Sequence, residues 1–278
     1  MTNHSAARKF ILFAVAALLI AGCSRDSGVD SPQQEQPAAR QEQPAVEETK
    51  PAPPDLASLL ASESRSESDR ARDAARKPAA VLEFLGIGPG MSVVDVIGAG
   101  GYYTEVLSLA VGPDGHVAAL NPARIFQLRD GAMGKELEAR MADNRLPNVT
   151  RMDKEFAELT ADDGPFDAAI TALNLHDVYN RNGEEAAVGV LAAVAQLLKP
   201  GGVFGVIDHN GLAGNDNTAL HRMQLTDAIR VAEAAGFIVE ASSGALHVHS
   251  DDLSGNVFAE GYRGKTHRFL LRLRKPEE

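Results

Sequence analysis

The sequence contains no Trp, a single Cys, and aromatic residues at only 5%. One thiol makes no internal disulfide, which excludes a stapled secreted mini-fold and a cysteine-rich zinc module. So few aromatics offer no platform on which nucleobases stack. Positive charge is also short, with 27 Lys and Arg against 38 Asp and Glu, a formal net charge of −11. A surface that tracks phosphates needs the opposite balance, so nucleic acid is excluded as a partner. No internal repeat is present. What remains is a chain of 278 residues, 44% of them hydrophobic, enough for one large domain or two small ones.

The N-terminus reads as an address. Arg8 and Lys9 give a positive n-region, and Phe10 to Ala21 is an almost unbroken apolar stretch. Its dozen or so residues suit a signal h-region and fall short of the roughly 20 that span a bilayer. The stretch ends in Leu19-Ile20-Ala21-Gly22-Cys23, which resembles a bacterial lipobox. That resemblance implies a signal peptide over 1–22, lipidation of Cys23, and, with Ser24 behind it, an outer-membrane location facing the periplasm. An ordinary signal cut near Ala21 or Gly22 is the alternative and leaves a free thiol. Residues 23–62 are rich in Pro, Gln and Glu and bury too little apolar surface to offset ordering entropy. They are expected as a disordered tether, with a single globular domain over 63–278.

In that domain β-type and helical patterns alternate. Glu63 to Lys77 reads as a solvated helix, and residues 79–86 as a short amphipathic one. Apolar runs over Ser92–Ile97, His116–Leu120, Val149–Met152, Phe166–Leu173 and Val203–Ile207 predict strands. Helices are expected over Thr104–Ala110, Pro122–Asn144 and Gly183–Leu198, with another from Leu225 ended by Gly236. Two further strands, Phe237–Ala241 and His267–Leu273, close the chain. This alternation predicts an α/β fold with a doubly wound, mostly parallel sheet of seven strands.

The strongest local pattern is Val93-Val94-Asp95-Val96-Ile97-Gly98-Ala99-Gly100-Gly101-Tyr102-Tyr103-Thr104-Glu105, a buried strand turning through glycines into a helix. Glycine lets a ligand approach the backbone, and the helix start offers free N–H groups. With Leu198-Lys199-Pro200-Gly201-Gly202 before the fifth strand, the chain resembles the class I S-adenosylmethionine-dependent methyltransferases, whose fold is Rossmann-like. Within them it is similar to a bacterial predicted-methyltransferase group, through Arg76-Lys77-Pro78, Tyr103-Thr104-Glu105, Asn174-Leu175-His176-Asp177, Asp208-His209 and His221-Arg222. A hydride-transferring dinucleotide enzyme fits less well, because it wants Gly-x-Gly-x-x-Gly and a later acid.

The resemblance implies S-adenosylmethionine as cofactor. Gly98, Ala99, Gly100 and Gly101 would lie against its methionine part, and Asp95 would orient that part. Asn121 stands where a carboxylate normally grips the ribose. Glu155 would reach the adenine amine, and Asn174 would border the methyl group. Ile97 and Ala99 depart from the family, which commonly has Gly at both places.

In open α/β sheets ligands gather at the carboxyl ends of strands, where His176, Asp177, Asp208 and His209 fall. These four are the catalytic candidates. His176 or His209 would serve as base for an acceptor that carries a proton, with an Asp fixing its tautomer. The bland alternative is that the acids cap helices and the histidines satisfy loop carbonyls. A metal site from His209, His221 and Asp208 lacks close ligand spacing, so no metal is expected. The resulting expectation is methyl transfer to a small-molecule or envelope acceptor. The competing one is a non-catalytic envelope lipoprotein that keeps the fold to bind a ligand or partner, for which Ala99 and Asn121 are the marks.

Overall fold

A computed structural model describes residues 55–278, so the expected signal peptide, Cys23 and the expected tether up to residue 54 lie outside the described residues. Five apolar runs become parallel strands: β1 (Ser92–Val96), β2 (His116–Leu120), β3 (Val149–Met152), β4 (Phe166–Ala172) and β5 (Leu198–His209). Two more, β6 (Ile238–Ser243) and β7 (Arg268–Arg274), complete one sheet of order β3-β2-β1-β4-β5-β7-β6. β7 runs antiparallel to both of its neighbours. The strand order reverses between β1 and β4, and such a switch point opens a crevice at the strand ends. Register sets that crevice level: Val96 pairs with both Leu120 and Thr171, and Thr171 with Val206.

Side chains alternate across each strand, so the sheet has two cores. One face buries Val94, Val96, Ala169 and Phe204 beneath α6 (Leu175–Asn182), α7 (Glu184–Leu197) and α9 (Leu225–Ala234). The other buries Val93, Val117, Ile170 and Ile207 beneath α3 (Pro78–Leu85), α4 (Tyr102–Val111) and α5 (Ala132–Met141).

Several expected boundaries move. Folded structure starts by Asp55, inside the expected tether: Asp55 caps α1 (Leu56–Ala61) by accepting from the Ser58 amide, and Leu60 is buried. The segment expected as a solvated helix from Glu63 begins instead at Glu67 as α2 (Glu67–Arg76), capped by Ser66. It is not simply solvated, because Arg65 and Asp69 are fully buried in ion pairs. The long helix expected over 122–144 splits into a 3-10 turn at Ala123–Gln127 and α5, since Arg129, Asp130 and Gly131 all take positive φ. Residues 175–182, too short and polar to show a period, form α6. A further single turn, α8 (Asn217–Leu220), precedes α9.

Candidate functional site

The glycine turn closes on itself before it meets any ligand. Asp95 is 1% exposed and accepts from the Thr104 hydroxyl at 2.6 Å, which ties the end of β1 to the first turn of α4. Burial pushes its carboxyl up to about 6, although Thr104 pulls the other way. A Cβ on Gly98 would fall 2.7 Å from that carboxylate, and one on Gly100 would fall 2.4 Å from Glu136. Gly98 is therefore required by the protein's own packing, whereas at Gly100 the neighbour is the half-exposed end of the Glu136 side chain, which can swing aside. Ile97 and Ala99 take φ of +57° and +50°, the left-handed region that glycine enters without cost. The two departures from the family pattern thus sit in strained backbone, and such strain concentrates at functional sites.

The ends of β4 and β5 carry the second half. Asp208 is fully buried and gathers three donors: Nδ1 of His176 at 2.6 Å, the His176 amide at 2.8 Å and the His209 amide at 2.7 Å. Burial works against the imidazolium of His176, but the Asp208 charge and hydrogen bond prevail and raise its pKa. The same pairing overcomes burial at Asp208 and lowers its carboxyl. His209 has a different fate. Its Nδ1 meets the Thr266 hydroxyl at 2.8 Å, and burial presses its pKa down to about 3, so it is a weak base. Between the two candidate bases, the aspartate selects His176. Asp208 also caps the first turn of α6, so the capping reading and the catalytic reading describe one residue.

Both halves face one cavity of about 340 Å³, lined by Asp95, Gly98, Ala99 and Gly100 at one end and by His176, Asp177 and His209 at the other. Asn174 lies between them, half-buried, its side-chain amide donating to the carbonyls of Ile97 and Ala172. Gly101 is not a lining residue; at φ +84° it serves as the N-cap of α4. Neither expected nucleoside contact lines the cavity. Asn121 is wholly buried, with Oδ1 accepting from the Ala99 amide at 2.8 Å. Glu155 is exposed and accepts from the Ala123 amide at 2.9 Å while capping a 3-10 turn. Asn121 thus props the turn, and Glu155 organises the neighbouring loop.

The sequence reading missed three contributors. Arg76 lines the cavity with its guanidinium 4.4 Å from the centre of the Tyr102 ring, and burial lowers its pKa. Glu136 arrives from α5 to cover Gly100, and Thr266 reaches His209 from the end of the chain. Only the tertiary fold brings these together. The sequence also set His221 apart from His209 and Asp208, and the structure gives it another partner. His221 faces Asp177 instead, at 3.4 Å between Nδ1 and Oδ1.

No model of a known protein family matches the chain, and no curated protein does. Solved structures do. A SAM-dependent methyltransferase from Aquifex aeolicus superposes with a TM-score of 0.54 at 19% identity, over 79% of this chain and 96% of that one. The 4+2 cyclase SpnF superposes with a TM-score of 0.54 at 20% identity, over 78% and 86%. The O-methyltransferase NcsB1 of neocarzinostatin biosynthesis, in complex with S-adenosyl-L-homocysteine and 1,4-dihydroxy-2-naphthoic acid, gives 0.50 at 17%, over 75% and 56%. The chain therefore has the Rossmann-like methyltransferase fold. That fold also carries a cyclase, so function must come from the site.

Proposed function

We propose that the protein is an S-adenosylmethionine-dependent methyltransferase acting on a small-molecule or envelope acceptor. The observation that carries this reading is the single cavity that joins the β1 glycine turn to the His176–Asp208 pair. The residues present fit the methionine end of the cofactor. Arg76 has no carboxylate partner among the described residues and offers a counter-charge to a carboxylate. Asp95 and Glu136 offer the same to an ammonium or sulfonium. At the ribose end Asn121 is turned into the protein and does not line the cavity, so the fit rests on the methionine end.

When bound, the cofactor supplies a methyl group on a cationic sulfur. This chain's own contribution is positioning, the main demand of an in-line displacement. Asn174 holds the strand ends at fixed separation, and the acceptor's proton leaves toward the His176–Asp177 end of the cavity. Calorimetry on the full chain in detergent tests the reading. Binding of S-adenosylmethionine and S-adenosylhomocysteine at micromolar concentration is expected, and no binding at millimolar ligand overturns it.

For its location we propose a lipid anchor at Cys23 in the bacterial envelope. The wild type should then fractionate with membranes and Cys23→Ala should not; equal behaviour of the two rejects the anchor.

A further inference from the structure

We infer that His176, Asp177 and His221 form a site for one divalent first-row transition cation of the zinc class. Three ligand atoms converge there. Asp177 Oδ1 lies 3.7 Å from His176 Nε2 and 3.4 Å from His221 Nδ1, and all three atoms lie within 4.8 Å of one another. Tetrahedral zinc with ligand bonds of about 2.0–2.1 Å sets its ligands roughly 3.3 Å apart, so the two distances from Asp177 need a few tenths of an ångström and the two imidazoles close by at most about 1.5 Å.

The second observation is the state of His176. Its side chain is 2% exposed, yet Nε2 has no hydrogen-bond partner. A buried polar atom without a partner is rare and costly, and here it points at the other two ligands. The opposite ring nitrogen is bonded to the buried Asp208 at 2.6 Å. A carboxylate behind a histidine is how metal-binding imidazoles are held in the tautomer that presents the free lone pair. His221 is fixed as well. It takes φ +54° at the end of α8, and Phe258 packs edge-on against its ring at 4.9 Å. Asp177 and Asp208 bring two negative charges to the site, and a bound cation would compete with Arg181, whose Nη2 lies 3.8 Å from Asp177 Oδ1. Two imidazoles and one carboxylate suit zinc, cobalt or iron better than magnesium or calcium, which take oxygen ligands.

Three protein ligands leave coordination positions open, the arrangement of a catalytic rather than a structural site. His176 and Asp177 line the cavity, so an acceptor hydroxyl or thiol ligated there would be acidified by the metal and lose its proton to solvent, with His176 then a ligand and no longer the base. That last step rests on the methyl-transfer reading; the binding of metal does not.

The test uses the full chain in detergent, without an affinity tag and carrying Cys23→Ser to remove its one thiol. The chelated protein is titrated with Co²⁺ and followed by visible absorption, then loaded with Zn²⁺, desalted and measured by mass spectrometry. One equivalent retained per chain, with cobalt bands of a low-symmetry nitrogen–oxygen site, is expected. His221→Ala and Asp177→Asn should each weaken binding at least tenfold with unchanged circular dichroism. His247→Ala should not, although His247 stacks on His267 at 4.3 Å and is the obvious adventitious site. No retained metal, or equal retention in His221→Ala and Asp177→Asn, overturns the proposal. Neither result involves S-adenosylmethionine, so failure here is distinct from failure of the calorimetry.

Discussion

Behind the glycine turn, Arg140 is enclosed by acceptors: Asp69 at 2.5 Å, Glu105, Glu136 and the Gly100 carbonyl, while Arg145 takes the second oxygen of Glu105. On the cavity side of the same turn, Arg76 has no carboxylate partner, and the Tyr103 hydroxyl and His176 Nε2 are buried without partners, among the described residues. Both regions take ionisable groups out of water. Only the first repays their desolvation from within the chain. A satisfied buried network belongs to the scaffold, whereas polar groups left open around a cavity await something from outside.

Substitutions that remove a guanidinium should break this contrast most sharply. Arg140→Met leaves Asp69 and Glu105 buried with fewer partners, which typically costs about 3–5 kcal/mol. In a domain of this size that lowers the melting temperature by roughly 10 °C, read by thermal unfolding. Arg76→Met removes a cation that faces the Tyr102 ring but has no carboxylate partner among the described residues, so stability should hold or rise while affinity for S-adenosylmethionine falls. Equal destabilisation by the two would show that Arg76 is scaffold after all.

Acid–base behaviour should separate the regions next. At Asp69 burial opposes ionisation, but Arg140 and Arg72 outweigh it and hold the carboxyl near 2 instead of 3.8. Its stabilisation is therefore complete above about pH 4 and is lost as pH falls toward 2. Asp95 has the opposite sign. Its carboxyl rises from 3.8 to about 6, so the folded state favours the protonated form and is penalised increasingly as pH rises through 6. Asp95→Asn should thus gain about 1–3 kcal/mol at pH 8 and converge on the wild type near pH 4, by denaturant unfolding at both values. A gain that persists at pH 4 would mean that charge is not the cause.

Much of this was legible beforehand. Near-continuous apolar runs marked the strands, because a sheet covered on both faces needs such runs wherever it passes through the core. The Asp95 turn and the pairs at the ends of β4 and β5 were legible too, because strand ends fix where short-range motifs point. Partnership was not. Nothing in Asn174-Leu175-His176-Asp177 tells that His176 will bond Asp208, 32 residues on, while Asp177 turns toward His221. Arg140 looks like any solvated helical arginine until the fold places Asp69 and Glu105 around it. Asn121 was assigned outward on its position at the strand end, and the Ala99 amide turned it inward.

The smallest effects test the turn itself, where Ile97 and Ala99 hold left-handed backbone. An L-residue there costs roughly 1–2 kcal/mol, and glycine gives back part of that gain through its looser unfolded chain. Ile97→Gly also deletes a side chain only 5% exposed, worth about 2–3 kcal/mol of burial, so the net change should be destabilising by about 1–2 kcal/mol. Ala99→Gly loses only one methyl group and should stabilise by about 0.5–1 kcal/mol. Because the Ala99 methyl belongs to a residue of the cavity wall, its removal should also tighten S-adenosylmethionine several-fold by calorimetry. Tighter binding with unchanged stability would mean that the methyl obstructs the ligand without straining the turn. Greater stability with weaker binding would mean that the strain is what holds the turn's backbone against the cavity, and that the alanine serves the site.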